Sequence, residues 1–234
     1  MPPILSIRIA VAAAAAGLGF LLAGCETNQV KPPVDPSAVI WTKITDPSKA
    51  LSPAYPDWRD STIAFHYEPT FDPLQNNNHI GLVKPDGSGL VLYSELGATL
   101  DYFPKWVNDT SIVYTSNKGA KGGYLIWYRN LPSNTSKNLD TLSKLEFWPA
   151  PRPGSPSLVC VEGPSTLQGK LMLIADVAMP YVRQQLTPDT LKTGEPDWDA
   201  AGNRICFSAE DPYGARNIWL MTLSGTSIVS MRRR

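Results

Sequence analysis

The feature that most constrains this chain is a unit of about 46 residues that recurs four times, a period typical of repeat proteins. Its clearest marker is an aromatic or acidic residue followed by proline, any residue and tryptophan, found at Tyr55–Trp58, Phe103–Trp106 and Glu195–Trp198. A degenerate copy, Trp148–Pro151, fills the gap between the second and third. In repeat proteins each unit buries its apolar faces against its neighbours, so the unit rather than any single strand determines the fold.

Two further markers keep the same step along the chain. One is a set of apolar segments that begin at Ile80, Ile126, Met172 and Ile218. The other is a set of short apolar segments placed between the first two markers, at Ile63–Phe65, Ile112–Tyr114, Val159–Val161 and Ile205–Phe207. Three markers in phase over four copies indicate a genuine repeat. The short apolar segments of the third marker are therefore expected to occupy equivalent positions in the four units.

Turn-forming residues separate the apolar segments, as at Pro85–Gly89 and Asp199–Asn203. The 22 prolines, 17 glycines, seven tryptophans and nine tyrosines favour short strands joined by tight turns over helices. Four strands in about 46 residues is the size of one β-propeller blade. The sequence therefore predicts an all-β propeller over 40–231, with about four four-stranded blades near 53–100, 101–146, 147–193 and 194–231.

The sequence does not decide whether such a propeller closes. Residues 40–45 look like an outer strand without a blade of its own, able to complete the blade made from the C-terminus. Residues Thr226–Met231 compete for that place. We slightly favour a closed ring over a partial arc, and an arc would allow self-association with another chain.

The repeat resembles the WD40-like repeats of the TolB propeller family, whose motif runs Pro-x-Trp-Ser-Pro-Asp-Gly and then Ile-x-Phe. Pro56–Trp58 with Ile63–Phe65, and Pro196–Trp198 with Ile205–Phe207, match it best. The resemblance covers roughly residues 40 to 230 and implies a propeller fold. Because this chain shows four units instead of six, no preceding α/β domain and a different leader, we do not transfer the family's partners or its role.

The N-terminal residues 1–24 are typical of a cleavable signal peptide. The apolar run Ile9–Leu22 is too short for a membrane-spanning helix, which needs about 20 residues. The segment Leu22–Cys25 resembles the lipobox of bacterial lipoproteins, which implies cleavage between Gly24 and Cys25 and lipid, including palmitate, on the Cys25 thiol. An ordinary secretory signal or a short membrane anchor are the alternatives.

The polar, proline-rich stretch 25–39 predicts a flexible tether that carries the lipidated Cys25 at its start. The expected location is the bacterial cell envelope, lipid-anchored, either on the periplasmic face of the outer membrane or on the cell surface. Glu26 after the cysteine weakly favours the outer membrane over the inner one.

The repeated tryptophans predict packing between blades rather than carbohydrate stacking, because they recur in register. These repeat-core residues are Trp58, Trp106, Trp198, Trp127 and Trp219. Trp41 and Trp148 break the register and are the better candidates for an exposed aromatic side chain.

Cys160 and Cys206 stand at the same place in the marker segments of successive repeats. Equivalent positions on stacked sheets are about 10 Å apart, too far for a disulfide, which needs Cα atoms within about 7 Å. We therefore predict two free thiols, both buried.

No motif of a known catalytic or metal centre is present, and we predict no catalytic residue, metal ligand or cofactor. The cluster His66–Glu68 is the one group of side chains we single out for testing. The acidic residues near the blade starts are expected to form turns and cap strands rather than bind a cation: Asp57, Asp60, Asp197 and Asp199.

The charges balance, with 21 Lys+Arg and 21 Asp+Glu, so a polyanion-binding surface is not expected and nucleic acid is excluded as a partner. The one basic cluster, Arg232–Arg234, is interpreted as a solvated tail.

These features favour a membrane-anchored, non-catalytic binding scaffold for an envelope protein, a peptide or a glycan. The irregular loops Glu68–His79, Lys118–Gly123 and Asp211–Arg216 are the expected contact surface. Two alternatives stay open: a propeller-type enzyme such as a polysaccharide lyase or hydrolase, as the resemblance allows, and a purely structural envelope component.

Overall fold

The structure is a computed structural model that describes residues 43–45, 48, 51–69, 77–93, 99–119, 123–139, 145–180, 182–211 and 213–233. The predicted signal peptide, Cys25, the tether and Trp41 lie outside these residues. Within the described ranges the chain forms sixteen β-strands and no helix. In particular, these ranges hold no helix long and apolar enough to cross a membrane.

The sixteen strands form four antiparallel sheets, each with its strands in chain order. Blade I contains β1 (Leu51–Arg59), β2 (Thr62–Glu68), β3 (His79–Val83) and β4 (Val91–Tyr93). Blade II contains β5 (Asp101–Asn108), β6 (Ser111–Ser116), β7 (Leu125–Asn130) and β8 (Thr135–Asn138). Blade III contains β9 (Glu146–Pro151), β10 (Leu158–Glu162), β11 (Lys170–Ile174) and β12 (Arg183–Gln185). Blade IV contains β13 (Thr193–Trp198), β14 (Arg204–Glu210), β15 (Arg216–Ser224) and β16 (Ser227–Arg233). The predicted all-β architecture of four four-stranded blades is confirmed.

The blades follow one another around a common axis, with the first strand of each blade innermost. Strand β1 contacts β5, β5 contacts β9, and β9 contacts β13. Among the described strands, none of blade I contacts any of blade IV. The four blades therefore form an open arc, not the closed ring that the sequence slightly favoured.

Apolar side chains fill each of the three interfaces between successive blades, as stacking of repeat units requires. Between blades I and II the buried residues are Ala64, Ile80, Leu82, Trp106, Ile112 and Tyr114. Between blades II and III they are Val113, Ile126, Leu139, Leu158, Cys160, Met172 and Ile174. Between blades III and IV the largest of the buried clusters includes Val159, Val161, Leu171, Leu173, Trp198, Ile205, Phe207 and Met221.

A buried ion pair reinforces the interface between blades II and III. The Glu146 carboxylate, which is completely buried, forms a salt bridge with the Arg183 guanidinium. The same carboxylate accepts the backbone N–H of Ile126 in blade II at 3.3 Å. Arg183 also donates to the carbonyl oxygen of Leu139 at 2.9 Å. Two strands of blade III and a strand of blade II are thus tied to one carboxylate.

Strand β16 completes blade IV, so the C-terminal segment takes the place for which residues 40–45 competed. Of those residues, Ile44 packs instead against the outer face of blade I, beside Ile63 and Phe65. Strand β16 also corrects the interpretation of the terminal arginines as a solvated tail. Arg232 and Arg233 belong to the strand, and Arg233 pairs with the Asp211 carboxylate at 2.8 Å.

The third sequence marker is displaced by one residue in blade III. The residue that pairs with the marker tryptophan is Ile63 in blade I, Ile112 in blade II and Ile205 in blade IV. The corresponding partner of Pro151 is Leu158, so Leu158 and not Val159 is the equivalent residue. Turn length is not the cause, because Leu158 follows Pro151 by seven residues, as Ile205 follows Trp198 in blade IV. The residues Leu158–Val161 are all apolar and all buried, so the apolar pattern does not fix the register there.

This displacement makes the prediction for the cysteines half wrong. Neither of these two cysteines forms a disulfide, as predicted, and Cys160 is buried against blade II, but Cys206 is exposed. One residue in a strand changes the face on which a side chain lies. Cys206 therefore faces away from blade III, on the side of blade IV that no described strand covers, where Ile218 is also 52% exposed.

The sequence predicted Trp58 to be a core residue, and this prediction is wrong because the arc is open. Trp106 and Trp198 are only 8% and 9% exposed, because each packs against the blade before it. Their indole N–H groups donate to the carbonyl oxygens of Asp57 and Ala150 in that preceding blade. Trp58 has no preceding blade; it is 64% exposed and donates to Asp60 in its own turn.

The other two repeated tryptophans, Trp127 and Trp219, are half-buried on the third strands of their blades. Trp127 packs against the apolar cluster between blades I and II, and Trp219 against the cluster between blades III and IV.

Candidate functional site: an axial pocket

A β-bulge interrupts the innermost strand of every blade at the same place. The pairing shifts between Ala54 and Asp57 in blade I, between Tyr102 and Lys105 in blade II, and at the corresponding places in blades III and IV. Each bulge contains the residue before the marker proline and the proline itself. Proline fits a bulge because it has no N–H to donate to the ladder.

The residue before each of these prolines has a left-handed backbone. The φ angle is 51° at Tyr55, 55° at Phe103, 54° at Trp148 and 52° at Glu195. A residue other than glycine in this region costs about 1–2 kcal/mol, and such strain is retained where the surrounding structure over-determines it, often at functional sites. Four strained residues of equal geometry therefore mark the axis of the arc as the candidate site.

The strained residues line one cavity of about 190 Å³, called here the axial pocket. It is lined by Tyr55, Pro56, Phe103, Pro104, Lys105, Trp148, Pro149, Glu195, Pro196 and Asp197. All four blades contribute the residue before the proline and the proline. The pocket thus exists only because the four repeats place their bulges around one axis.

Three aromatic rings form a compact cluster in the pocket. Phe103 and Trp148 are stacked, with ring centroids 3.8 Å apart. Tyr55 meets both edge-on, at 4.7 Å from Phe103 and 5.5 Å from Trp148. Both are favourable aromatic arrangements. Tyr55 is still 51% exposed, so the cluster presents a ring to anything that enters the pocket.

His66 supports this cluster from the second strand of blade I. Its ring lies 5.1 Å from that of Tyr55 and 5.3 Å from that of Tyr102. The side chain is buried, and within the described part of the chain its Nδ1 has no hydrogen-bond partner. Burial lowers the pKa of His66 to about 4, because the charged imidazolium loses its hydration there. At neutral pH His66 is therefore an uncharged side chain behind the ring of Tyr55, next to the pocket rather than in its lining.

The ionisable groups of the pocket leave an excess of negative charge. The Lys105 ammonium is neutralised by the Asp57 carboxylate at 3.1 Å. The Glu195 carboxylate is exposed and makes no hydrogen bond or ion pair with any residue that the structure describes. Asp197 is also exposed, and among the described residues its carboxylate accepts the adjacent N–H of Trp198 alone, at 3.0 Å.

A second cavity of about 220 Å³ continues the aromatic surface from Phe103. Its lining includes Tyr102, Tyr124 and Phe147, with ring centroids 6.0 Å and 5.4 Å apart in succession. Aromatic side chains thus extend from the axis toward blade III.

The structure brings together some of the residues singled out in the sequence and separates others. Trp148, a candidate exposed aromatic, lies half-buried in the axial pocket. Within His66–Glu68 the strand alternation divides the cluster, since His66 faces Tyr102 of blade II while Tyr67 packs beside Phe65 on the opposite face. The three candidate contact loops are only partly described, each with residues outside the described ranges.

The acidic residues near the blade starts have separate structural contacts. Asp57 joins blades I and II through Lys105 and Trp106. Asp199 closes the turn before β14, accepting the N–H groups of Asn203 and Arg204 at 2.8 and 3.0 Å. The pKa of Asp199 is lowered to about 2. The largest cause is the hydrogen bond from the Arg204 side chain, and the next is the hydrogen bond from the Arg204 backbone N–H. Across the described ranges, no three His, Cys, Asp or Glu residues are grouped so as to hold a metal ion.

Sequence reasoning missed that the residues before the marker prolines form a site. The signal was present, because the aromatic-or-acidic character of this position recurs in all four copies. What could not be read from the spacing was the bulge that turns these side chains toward the axis.

No family model matches this sequence, and no curated protein matches it. Solved structures are similar in fold. TolB from Acinetobacter baumannii has a TM-score of 0.59 at 15% identity, covering 79% of this chain and 43% of that one. The putative TolB from Agrobacterium tumefaciens has a TM-score of 0.57 at 15% identity, covering 72% of this chain and 60% of that one.

An oligogalacturonate lyase from Vibrio parahaemolyticus has a TM-score of 0.51 at 17% identity, covering 77% of this chain and 51% of that one. This chain therefore has a TolB-like β-propeller fold, and it spans less than two thirds of each of these three structures. At these identities the likeness concerns the fold alone.

Proposed function

We propose that this chain is a lipid-anchored protein of the bacterial envelope whose propeller arc is a non-catalytic binding scaffold for a protein, peptide or glycan. The axial pocket is its contact site. The observation that carries this proposal is the convergence of four strained pre-proline residues on one partly exposed aromatic cavity. Exposed aromatic surface has a cost in an isolated domain, which a ligand that covers the rings would remove. Backbone strain of this kind is typical of functional sites.

The anchoring part of the proposal is supported by Leu22–Cys25 and the apolar run before it. Two or three acyl chains would make membrane attachment stable, since each buried methylene contributes about 0.8 kcal/mol. Growing a bacterial host with labelled palmitate should label the full chain and place it in the membrane fraction. The Cys25→Ser variant should lose both, whereas Cys206→Ser, which removes an exposed cysteine of blade IV, should keep both.

The binding part is tested by placing a photo-crosslinking amino acid at position 55 of the full chain in the bacterial envelope. Tyr55 already carries a half-exposed ring, so an aromatic crosslinker there preserves the packing. The matched control is Met179, which is 58% exposed and lies outside both the pocket and the three candidate contact loops. We expect a discrete adduct from position 55 that is absent from position 179 and is weakened by Phe103→Ala. Identical adduct patterns at the two positions, or none at either, would contradict the scaffold and favour a purely structural component.

A polysaccharide lyase is the second candidate, favoured by one observation. His66 is uncharged at neutral pH and adjoins the pocket, so it has the protonation state that a general base requires. The fold is shared with an oligogalacturonate lyase. Incubating the protein with oligogalacturonate and a divalent metal would generate unsaturated, ultraviolet-absorbing ends if the chain has this activity. An increase in absorbance whose rate falls to zero in His66→Asn would establish that the chain is a lyase. If the absorbance does not change, the lyase is ruled out and the binding scaffold remains the proposed function.

A further inference from the structure

We infer that the axial pocket binds a guanidinium group, presented as an arginine side chain by a peptide or protein partner. This inference rests on the proposed binding function and names the chemistry of its ligand. The structure contributes three independent properties of the pocket: its charge, its aromatic surface and its size.

The charge of the pocket favours a cation. Lys105 is already paired with Asp57, and His66 is neutral, so no free positive charge faces the cavity among its described lining residues. Glu195 and Asp197 supply two carboxylates from the same strand, β13. An anionic ligand, including a uronic acid sugar, would be repelled by both. A neutral ligand would leave the Glu195 carboxylate without a charged partner.

The aromatic cluster favours a planar cation over a compact one. The faces of aromatic rings are negative and attract cations within about 6 Å. Tyr55 presents a half-exposed ring, and the stacked rings of Phe103 and Trp148 line the same pocket. A guanidinium can stack flat on such a ring and donate two hydrogen bonds to one carboxylate, which the ammonium of lysine cannot do in the same geometry.

The size of the pocket favours a single side chain. Its volume of about 190 Å³ is below the range of about 300–1,000 Å³ that is typical of sites for whole small molecules. The four prolines form rigid walls around this space because their rings fix the backbone. A side chain that projects from a partner's backbone enters such a space without the backbone having to follow.

The test measures binding of three tripeptides to the full-length lipidated chain in detergent micelles, by protein-observed NMR or calorimetry. The probes are acetyl-Gly-Arg-Gly-amide, the same peptide with uncharged citrulline, and the same peptide with lysine. We expect the arginine peptide to bind with a millimolar dissociation constant and the citrulline peptide about tenfold more weakly, which corresponds to about 1.4 kcal/mol. The lysine peptide should lie between them.

The Glu195→Gln variant should reduce the affinity for the arginine peptide about tenfold and remove its preference over citrulline. Glu210→Gln is the matched control, because Glu210 is also on blade IV but pairs with Lys192 away from the pocket. It should leave the affinity unchanged. Thermal unfolding of both variants verifies that each is folded.

Equal binding of the arginine and citrulline peptides, or no arginine binding at millimolar concentrations, would overturn the inference. A tighter complex with a neutral or acidic oligosaccharide would do the same. These results are separable from failure of the proposed function, because crosslinking from position 55 reports a partner in the pocket whatever its chemistry.

Discussion

The Asp57 carboxylate accepts the backbone N–H of Trp106 at 2.8 Å, and the Asp57 carbonyl oxygen accepts the Trp106 indole N–H at 3.1 Å. The side chain of Asp57 also holds Lys105 of blade II. One residue of blade I therefore fixes two successive residues on the innermost strand of blade II. Asp197 stands at the same place in blade IV, where no described strand follows.

We expect Asp57→Ala to lower the free energy of unfolding by about 1–3 kcal/mol, since it leaves the Trp106 amide without its charged acceptor. Asp197→Ala removes the same group where it joins no second blade, and should cost less than about 1 kcal/mol. Urea unfolding of both variants, followed by tryptophan fluorescence, measures the difference. Equal losses would show that the inter-blade contact is not what Asp57 contributes.

The buried pair of Glu146 and Arg183 predicts a larger effect. Glu146→Gln leaves the guanidinium, largely removed from water, without its counter-charge, and breaking such a pair costs about 3–5 kcal/mol. The control Glu210→Gln breaks the more exposed pair with Lys192 and should cost less than about 1 kcal/mol. Thermal unfolding of the two variants gives the comparison, and a mild effect of Glu146→Gln would mean that water reaches the interface.

His66 predicts a loss of stability in mildly acidic solution. Its pKa is about 4 in the folded chain against an ordinary 6.5, so below pH 6.5 the unfolded chain binds a proton that the folded chain does not. The stability is therefore complete above pH 6.5 and falls as the pH decreases toward 4, by about 3 kcal/mol from this residue. Urea unfolding between pH 7 and pH 4 should show a shallower decline in His66→Leu than in the unchanged protein.

The two cysteines of the propeller predict a clean chemical contrast. Cys206 is exposed, so a thiol reagent should modify it in the folded protein, whereas Cys160 lies buried beneath blade II and should react only after unfolding. Mass spectrometry of peptides after brief alkylation, with and without denaturant, distinguishes the two sites. Protection of Cys206 in the folded chain would indicate that another surface covers blade IV.

The repeat could be found in the sequence because packing between blades demands the same residue types at the same spacing. Trp106 and Trp198 illustrate this, since each occupies the same groove on a preceding blade. Trp58 has the same motif, but no described blade precedes it. The motif alone does not show whether a neighbouring blade is present to bury the tryptophan. The displaced register around Val159 has a different cause, because Leu158–Val161 is apolar and buried at every position, so no alternation fixes its register.

The candidate site was less predictable than the fold because it depends on the direction of side chains around an axis. In the sequence, Tyr55, Phe103 and Glu195 occupy the same position of the repeat, directly before the marker proline. Their convergence depends on the bulges and left-handed backbone, which a sequence pattern does not encode. His66 joins them through the alternation of β2, whereas its sequence neighbour Tyr67 is directed away.

Because the arc has three interfaces for four blades, its end blades are held by one neighbour and its middle blades by two. Opening blade IV breaks a single interface, whereas opening blade II or III breaks two. Amide protons of β14 and β15 should therefore exchange with solvent by detachment of one blade, at a lower free energy than those of β6 and β10. Such a molecule loosens from its ends inward, and Glu195, carried on the innermost strand of an end blade, would leave the pocket while the aromatic rings of the other three blades stay in place.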